Sequence, residues 1–346
     1  MSITMSFPFL RAILLGSIFL YPCICKAISF ELHEKMKPMN KSELHLHLGG
    51  AWPLGYLQSI ASVKEFEELS SMLSLIQKEA VDYASIFHVF TLIGQIMNSE
   101  EKIEQGVIAL CQDLAQDHVV YAEFRTGLKD LGNGLEGHLN AVLRGVEQGT
   151  KDSSLQVGVL LSLRRDTPAA LAEKTLDLAL KYQHQGIIGI DVSGNSIQGN
   201  GQTIFPTLIR AKKHYLPITL HLGESPEETP HQQMLELNTI QPERIGHGVH
   251  LCEEALTWIK EKKLLIELCL TSAVKAGMIQ KPQQHPALPL LLQGYPIAIC
   301  TDDPLVFNTT LSKEYAYIAD VTGLTPEKVQ ELQKDLYRYS FLSTAK

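Results

Sequence analysis

The segment KSELHLHLGGAWP carries His45 and His47 two residues apart between leucines. In an extended strand residues i and i+2 face the same way, so the two imidazoles share one side and Leu44, Leu46 and Leu48 the other. Such a pair is either a polar surface stripe or two ligands for one ion. Four more segments place chemistry-bearing residues at the ends of apolar runs: DVSGN with Gly194, HLGES with His221 and Glu224, RIGHG with His247, and CTDDP with Asp302 and Asp303. Imidazole nitrogen and carboxylate oxygen are ligands that zinc accepts, and a catalytic zinc keeps one position open for water. His45, His47, His221 and Asp302 together offer three nitrogens and one oxygen to one Zn2+ per chain, which would lower the pKa of water to about 7. His247 is then expected beside that water as general base and electrostatic anchor. Glu224, three residues past His221, is free to donate a proton to a ring nitrogen of a heterocycle. Asp303 is placed to bond another ring nitrogen, and Gly194 lets a backbone N–H approach the ring. Singly, each is as well read as a satisfied polar core residue. Their shared position at strand ends is what packing needs alone do not supply.

The elements that must position these groups alternate. Short β-branched or apolar runs at 42–48, 119–125, 155–163, 186–193, 217–222, 243–248, 264–270 and 296–301 read as strands, with helical patterns between them. Ser99 is the expected cap of a helix with Ile103, Val107, Leu110 and Leu114 on one face. Pro168 is expected at the first position of another, with Gly186 following its end. Eight strands separated by helices predict an α/β fold, a closed parallel (β/α)8 TIM-type barrel, in which catalytic groups come from the C-terminal ends of several strands. No Gly-rich GxGxxG turn follows the first strand, as an open dinucleotide-binding sheet would require. A mostly helical insertion over about 50–118 follows the first strand and suggests a lid, with Phe87, Phe90, Leu92 and Ile93 as pocket-lining or ordinary core residues.

The chain has 346 residues, 45% apolar and 20% charged, with a formal net charge of −8. This is a folded globular composition, and the absence of any basic run disfavours a nucleic-acid partner. Six cysteines without a CxxC pair, in a chain large enough to bury its own core, argue against a disulfide framework. Residues 1–33 are set apart from the barrel, 34–346. Their apolar run after Arg11 is too short to span a bilayer. It fits either a signal peptide cut near Ala27, implying export, or an early start upstream of Met36 or Met39, implying a cytoplasmic protein.

ELHLHL, DVSGN, HLGES, RIGHG and CTDDP resemble, in order and spacing, the motifs of the adenosine deaminase family, from about Lys41 to Ser343. The resemblance implies hydrolysis of the 6-amino group of an adenine nucleoside or nucleotide, giving the inosine-type product and ammonia or an amine. It assigns His45, His47, His221 and Asp302 to zinc, Glu224 to ring protonation, His247 to water activation, and Gly194 and Asp303 to the base. YAEFRTGLK, ELCLTSAVKAG and CTDDPLVFNTTLSKEY are similar to the adenosine deaminase-like branch, the N6-methyl-AMP deaminases. Gly49 stands where adenosine-specific members carry an aspartate for the ribose 5′-hydroxyl, which removes repulsion of a 5′-phosphate. Arg125, Arg164 and Arg165 are candidate phosphate contacts or solvated strand-end charges. Ala273 stands where the family often has asparagine, and the end at Lys346 suggests that a terminal helix of other members is missing. The alternatives are a barrel amidohydrolase acting on free adenine or another ring, and a secreted inactive relative that binds a nucleoside. The sequence leaves the oligomeric state open.

Overall fold

A computed structural model of the chain describes residues 30–78, 83–197 and 201–344. The leader-like run after Arg11 lies outside the described residues. Eight strands, β1 (Lys41–His47), β2 (Val119–Thr126), β3 (Gln156–Arg164), β4 (Ile187–Ser193), β5 (Ile218–Leu222), β6 (Arg244–His247), β7 (Leu265–Leu268) and β8 (Ile297–Ile299), form one sheet in sequential order, every neighbouring pair parallel. The seam between β1 and β8 is closed by two backbone bonds: His47 N–H donates to Asp302 O and Asp302 N–H to His45 O, both at 2.9 Å. The expected (β/α)8 barrel is the observed fold.

The helices follow their local chemistry. Ser99 Oγ accepts the Lys102 N–H and starts Glu100–Gln116, whose Ile103, Val107, Leu110 and Leu114 are buried. Pro168 is the N-cap of Ala169–Lys181, one position earlier than expected, because its extended ψ of 139° keeps it outside the helix. Gly186, at φ +110°, makes the turn into β4. The last two strands are shorter than their apolar runs. Leu270–Lys275 coils into a helix directly after Cys269, and β8 ends at Ile299, with Asp302 at φ +68° bridging to β1 beyond it.

The insertion after β1 is helical, as expected: Leu54–Ile60, Val63–Lys78 and Tyr83–Ile96 precede the barrel helix Glu100–Gln116. Leu92 belongs to its apolar core, whereas Phe87, Phe90 and Ile93 line a cavity at the barrel mouth. At the opposite end, Leu336–Tyr339 and Phe341–Thr344 cover the barrel floor, with Phe341 fully buried against Leu160 and Ile188. Cys111, Cys252, Cys269 and Cys300 are free thiols. Among the described residues no helix is long and apolar enough to cross a membrane.

Candidate metal centre and active site

His45 and His47 point into the barrel from the end of β1 and Leu46 packs on its outer side, but a bulge between Glu43 and Leu46 breaks the expected alternation and turns Leu44 inward, onto Tyr121, Leu265 and Leu336. His221 comes from β5 and Asp302 from the turn after β8. His47 Nε2 lies 3.2 Å from His45 Nε2 and 3.1 Å from His221 Nε2; Asp302 Oδ1 lies 3.4 Å from His45 Nε2 and 3.5 Å from His47 Nε2. Ligands ~2.0–2.1 Å from a tetrahedral zinc stand roughly 3.3 Å from one another. These four separations match those within a metal's ligand shell. Burial works against a charge on His45, yet Asp302 and Glu267 still raise its pKa, so the pocket favours a positive charge at this point. Burial pushes His47 down to about 3, which leaves that ring neutral and able to ligate.

The other ring nitrogens are held from behind. His45 Nδ1 donates to Glu267 at 2.8 Å, and His221 Nδ1 donates to Val192 O at 3.0 Å with Asp191 Oδ1 at 3.1 Å. These bonds fix the tautomers and aim both Nε2 atoms inward. Arg125 joins the two supports, giving one nitrogen to Asp191 at 2.9 Å and another to Glu267 at 2.5 Å. Ser272 Oγ donates to Asp302 Oδ2. The serine thus supplies Asp302 with a supporting bond, and its neighbour Ala273 is packed in the core. Cys269 also lies within ligand reach of His45 and Asp302, and burial pushes its thiol far up.

His247 stands beside this set, its ring 4.8 Å from that of His45 and 5.0 Å from that of His221. Its φ of +62° is a strained value for a non-glycine residue, costing of order 1–3 kcal/mol. Burial holds it well below its ordinary pKa, so it is neutral and able to accept a proton. Glu224 Oε1 is 3.6 Å from His247 Nε2. Its loop is built by Glu228, whose carboxylate accepts the N–H groups of Gly223, Glu224 and Ser225. Burial raises the Glu224 carboxyl to about 7. Burial, with Asp302 as neighbour, also raises Asp303 well above the carboxylate range. Both carboxyls are thereby biased toward the hydrogen-bond-donating form.

A cavity of about 440 Å³ opens over these groups, within the ordinary range for small-molecule sites. His47, Gly49, Phe87, Phe90, Gly194, Glu224, His247 and Asp303 all border it, and His45 sits behind the wall. Gly194 has φ +86°, and a Cβ there would press on Arg164 at 3.1 Å. Gly49 has no such need: a Cβ would meet only Phe90, at 3.9 Å. Its neighbour Gly50 is the constrained one, since a Cβ there would fall 2.0 Å from Asp303 Oδ1.

Two expected phosphate contacts are corrected. Arg125 is fully buried in its pairs with Asp191 and Glu267. Arg165 is buried against Glu236 and donates to Gly194 O and His221 O, so it braces two site strands. Arg164 does border the cavity, 5.7 Å from the Phe87 ring, and pairs with exposed Asp166. Lys129, also on the cavity wall, was not singled out by sequence, nor were Asp191 and Glu267. The legible signal for the two acids was a lone carboxylate inside an apolar strand, which burial requires to be paired.

The adenosine deaminase family model matches residues 40–346. The chain belongs to the adenosine deaminase family. It is 30% identical over 323 residues to the adenosine deaminase-like protein of Drosophila melanogaster, covering 90% of this chain and 94% of that one. The crystal structure of arabidopsis N6-mAMP deaminase superposes with a TM-score of 0.82 at 30% identity, covering 89% of this chain and 95% of that chain. That of arabidopsis ADAL complexed with IMP gives 0.81 at 29%, covering 89% and 94%. As a member of the adenosine deaminase family the chain is a hydrolase of C–N bonds on a metal-dependent fold.

Proposed function

We propose that the chain is a zinc-dependent aminohydrolase of an AMP-type purine nucleotide, with an N6-substituted AMP included, yielding the inosine-type product and ammonia or an amine. The observation that carries this reading is the convergence of three imidazole nitrogens and one carboxylate oxygen beside Glu224 and His247. His45, His47, His221 and Asp302 would hold zinc, whose ligand preferences they match. Bound there, the metal supplies Lewis-acid activation of water at neutral pH. Protonated Glu224 donates to a ring nitrogen and draws electron density from the adjacent carbon. Neutral His247 takes the proton of the attacking water, and its neighbour Glu224 keeps it oriented. Asp303 donates to a second ring nitrogen, and the backbone at Gly194 edges the base. The amine leaves with the proton that His247 took as the C–N bond breaks, and the new C–OH returns a proton to Glu224 as it becomes the product carbonyl.

The nucleotide rather than the nucleoside is supported by the outer wall. No carboxylate stands at Gly49 to repel a phosphate. Lys129 Nζ lies against Gly94 of the lid helix, 3.3 Å from where a Cβ would stand, and it has no acidic partner among the described residues. With Arg164 it places two cations on the cavity wall for a 5′-phosphate. The arabidopsis relatives, an N6-mAMP deaminase and ADAL complexed with IMP, agree with that choice.

The test is amine release from adenosine, AMP, N6-methyl-AMP and adenine by the zinc-loaded protein. We expect the two nucleotides to be turned over with the highest kcat/KM. Preference for adenosine or adenine would overturn the nucleotide assignment, and turnover of none with tight nucleoside binding would support an inactive binding protein.

A further inference from the structure

The barrel interior carries a line of buried ion pairs running from the metal-ligand set to the floor. Glu267 is its hub. Oε2 accepts from His45 Nδ1 and Arg125; Oε1 accepts from Thr219 Oγ1 at 3.0 Å and stands 2.9 Å from Arg244 Nε. The Arg125 and Arg244 guanidiniums flank it on its two oxygens. Held by three donors and flanked by the Arg244 guanidinium, this carboxylate has little freedom, and its position fixes the ring of His45.

Arg244 is in turn seated by the C-terminal segment. Its guanidinium lies 3.8 Å from the centroid of the Phe341 ring, and Nη1 donates to Tyr339 O at 3.1 Å. Nη2 donates to Glu123, which also accepts the Phe341 N–H at 2.9 Å. Phe341 occupies space that only a glycine at 189 leaves: a Cβ there would fall 2.6 Å from the ring. A planar guanidinium stacked on a ring and forked between two carboxylates has little freedom, and a lysine would reproduce neither contact.

We propose that Arg244 is a positioning residue for the metal centre, and that the C-terminal Phe341 plug sets the His45 ligand through Arg244 and Glu267. Among the described residues no part of the plug borders the cavity, so it acts on the site from behind, through the side chains packed between. The inference rests on the metal reading above, and it concerns how firmly the ligand is held, not which substrate is used.

The test is cobalt substitution of the full chain, reading the visible ligand-field bands and the rate of metal loss to a chelator. Removing a partner behind a ligating histidine typically costs 10–100-fold in metal affinity. Phe341→Leu, which keeps the apolar fill but removes the ring face, is expected to speed metal loss about tenfold and to shift the bands. Leu336→Ala, in the same plug but packed on Leu44 and Tyr121, is expected to lower stability and leave both readouts unchanged. Should Phe341→Leu fail to fold, Arg244→Lys carries the same expectation. Wild-type bands and loss rate in Phe341→Leu and Arg244→Lys would overturn the proposal, as would an equal shift in Leu336→Ala, which would mean general loosening. A wild-type chain that takes up no cobalt would sink the metal reading first and this inference with it.

Discussion

At the residue scale, the site separates groups that hold a metal from groups that move protons. Glu224 faces His247 and is not one of the four proposed ligands, so Glu224→Gln should keep the metal and lose kcat by about 10²–10⁴; metal content and turnover measured on one preparation check this. The pH dependence follows from burial, which raises the carboxyl to about 7. A raised carboxyl pKa means that the donating form is present at low pH and lost as pH rises through about 7. The alkaline limb of kcat/KM should therefore fall there, and the residual activity of Glu224→Gln should lack that limb. The two glycines after β1 make a second contrast. Gly50→Ala forces a Cβ against Asp303 and should abolish or displace base binding, whereas Gly49→Ala meets only ordinary contact and should change kcat/KM by less than about threefold, a surface-sized effect. Steady-state kinetics on both variants decides.

At the element scale, the strand ends were readable because zinc chemistry needs particular atoms, and DVSGN, HLGES, RIGHG and CTDDP display them. What escaped was pairing across the barrel. Nothing local in VVYAEFR tells that Arg125 turns inward to Asp191 and Glu267 instead of outward to a phosphate; that follows from the register of β2 against β1 and β3. Strand ends escaped too, since β7 stops where a helix begins after Cys269 and β8 stops at Ile299, for reasons of helix and turn formation that apolarity does not encode. The lid helix Tyr83–Ile96 carries Gly94 in its interior, where glycine costs ~1 kcal/mol relative to alanine. Its use is space for the Lys129 ammonium. Gly94→Ala should thus raise the thermal midpoint and yet raise KM for a nucleotide, while Lys129→Ala should raise KM for AMP by about 10-fold or more, as loss of a charged hydrogen bond does, with little change for adenosine.

At the scale of the whole molecule, the barrel is closed by its own site: the β1/β8 seam is bonded through His45, His47 and Asp302. Four potential ligands drawn from β1, β5 and the turn after β8 link distant parts of the chain, so a metal bound by the folded state alone should stabilise the whole. Stripping it with a chelator is expected to lower the thermal midpoint in one cooperative step, and re-adding Zn2+ to restore it. The buried ladder of arginines and acids beneath has no compensation in solvent, and removing one partner of such a pair typically costs ~3–5 kcal/mol.

Zinc K-edge absorption on the reconstituted full chain tests the central claim most directly. The account predicts one zinc per chain in a shell of nitrogen and oxygen at ~2.0–2.1 Å with the outer scattering of three imidazoles. A sulfur at ~2.3 Å, as ligation by Cys269 would give, or fewer than three imidazoles, would contradict it.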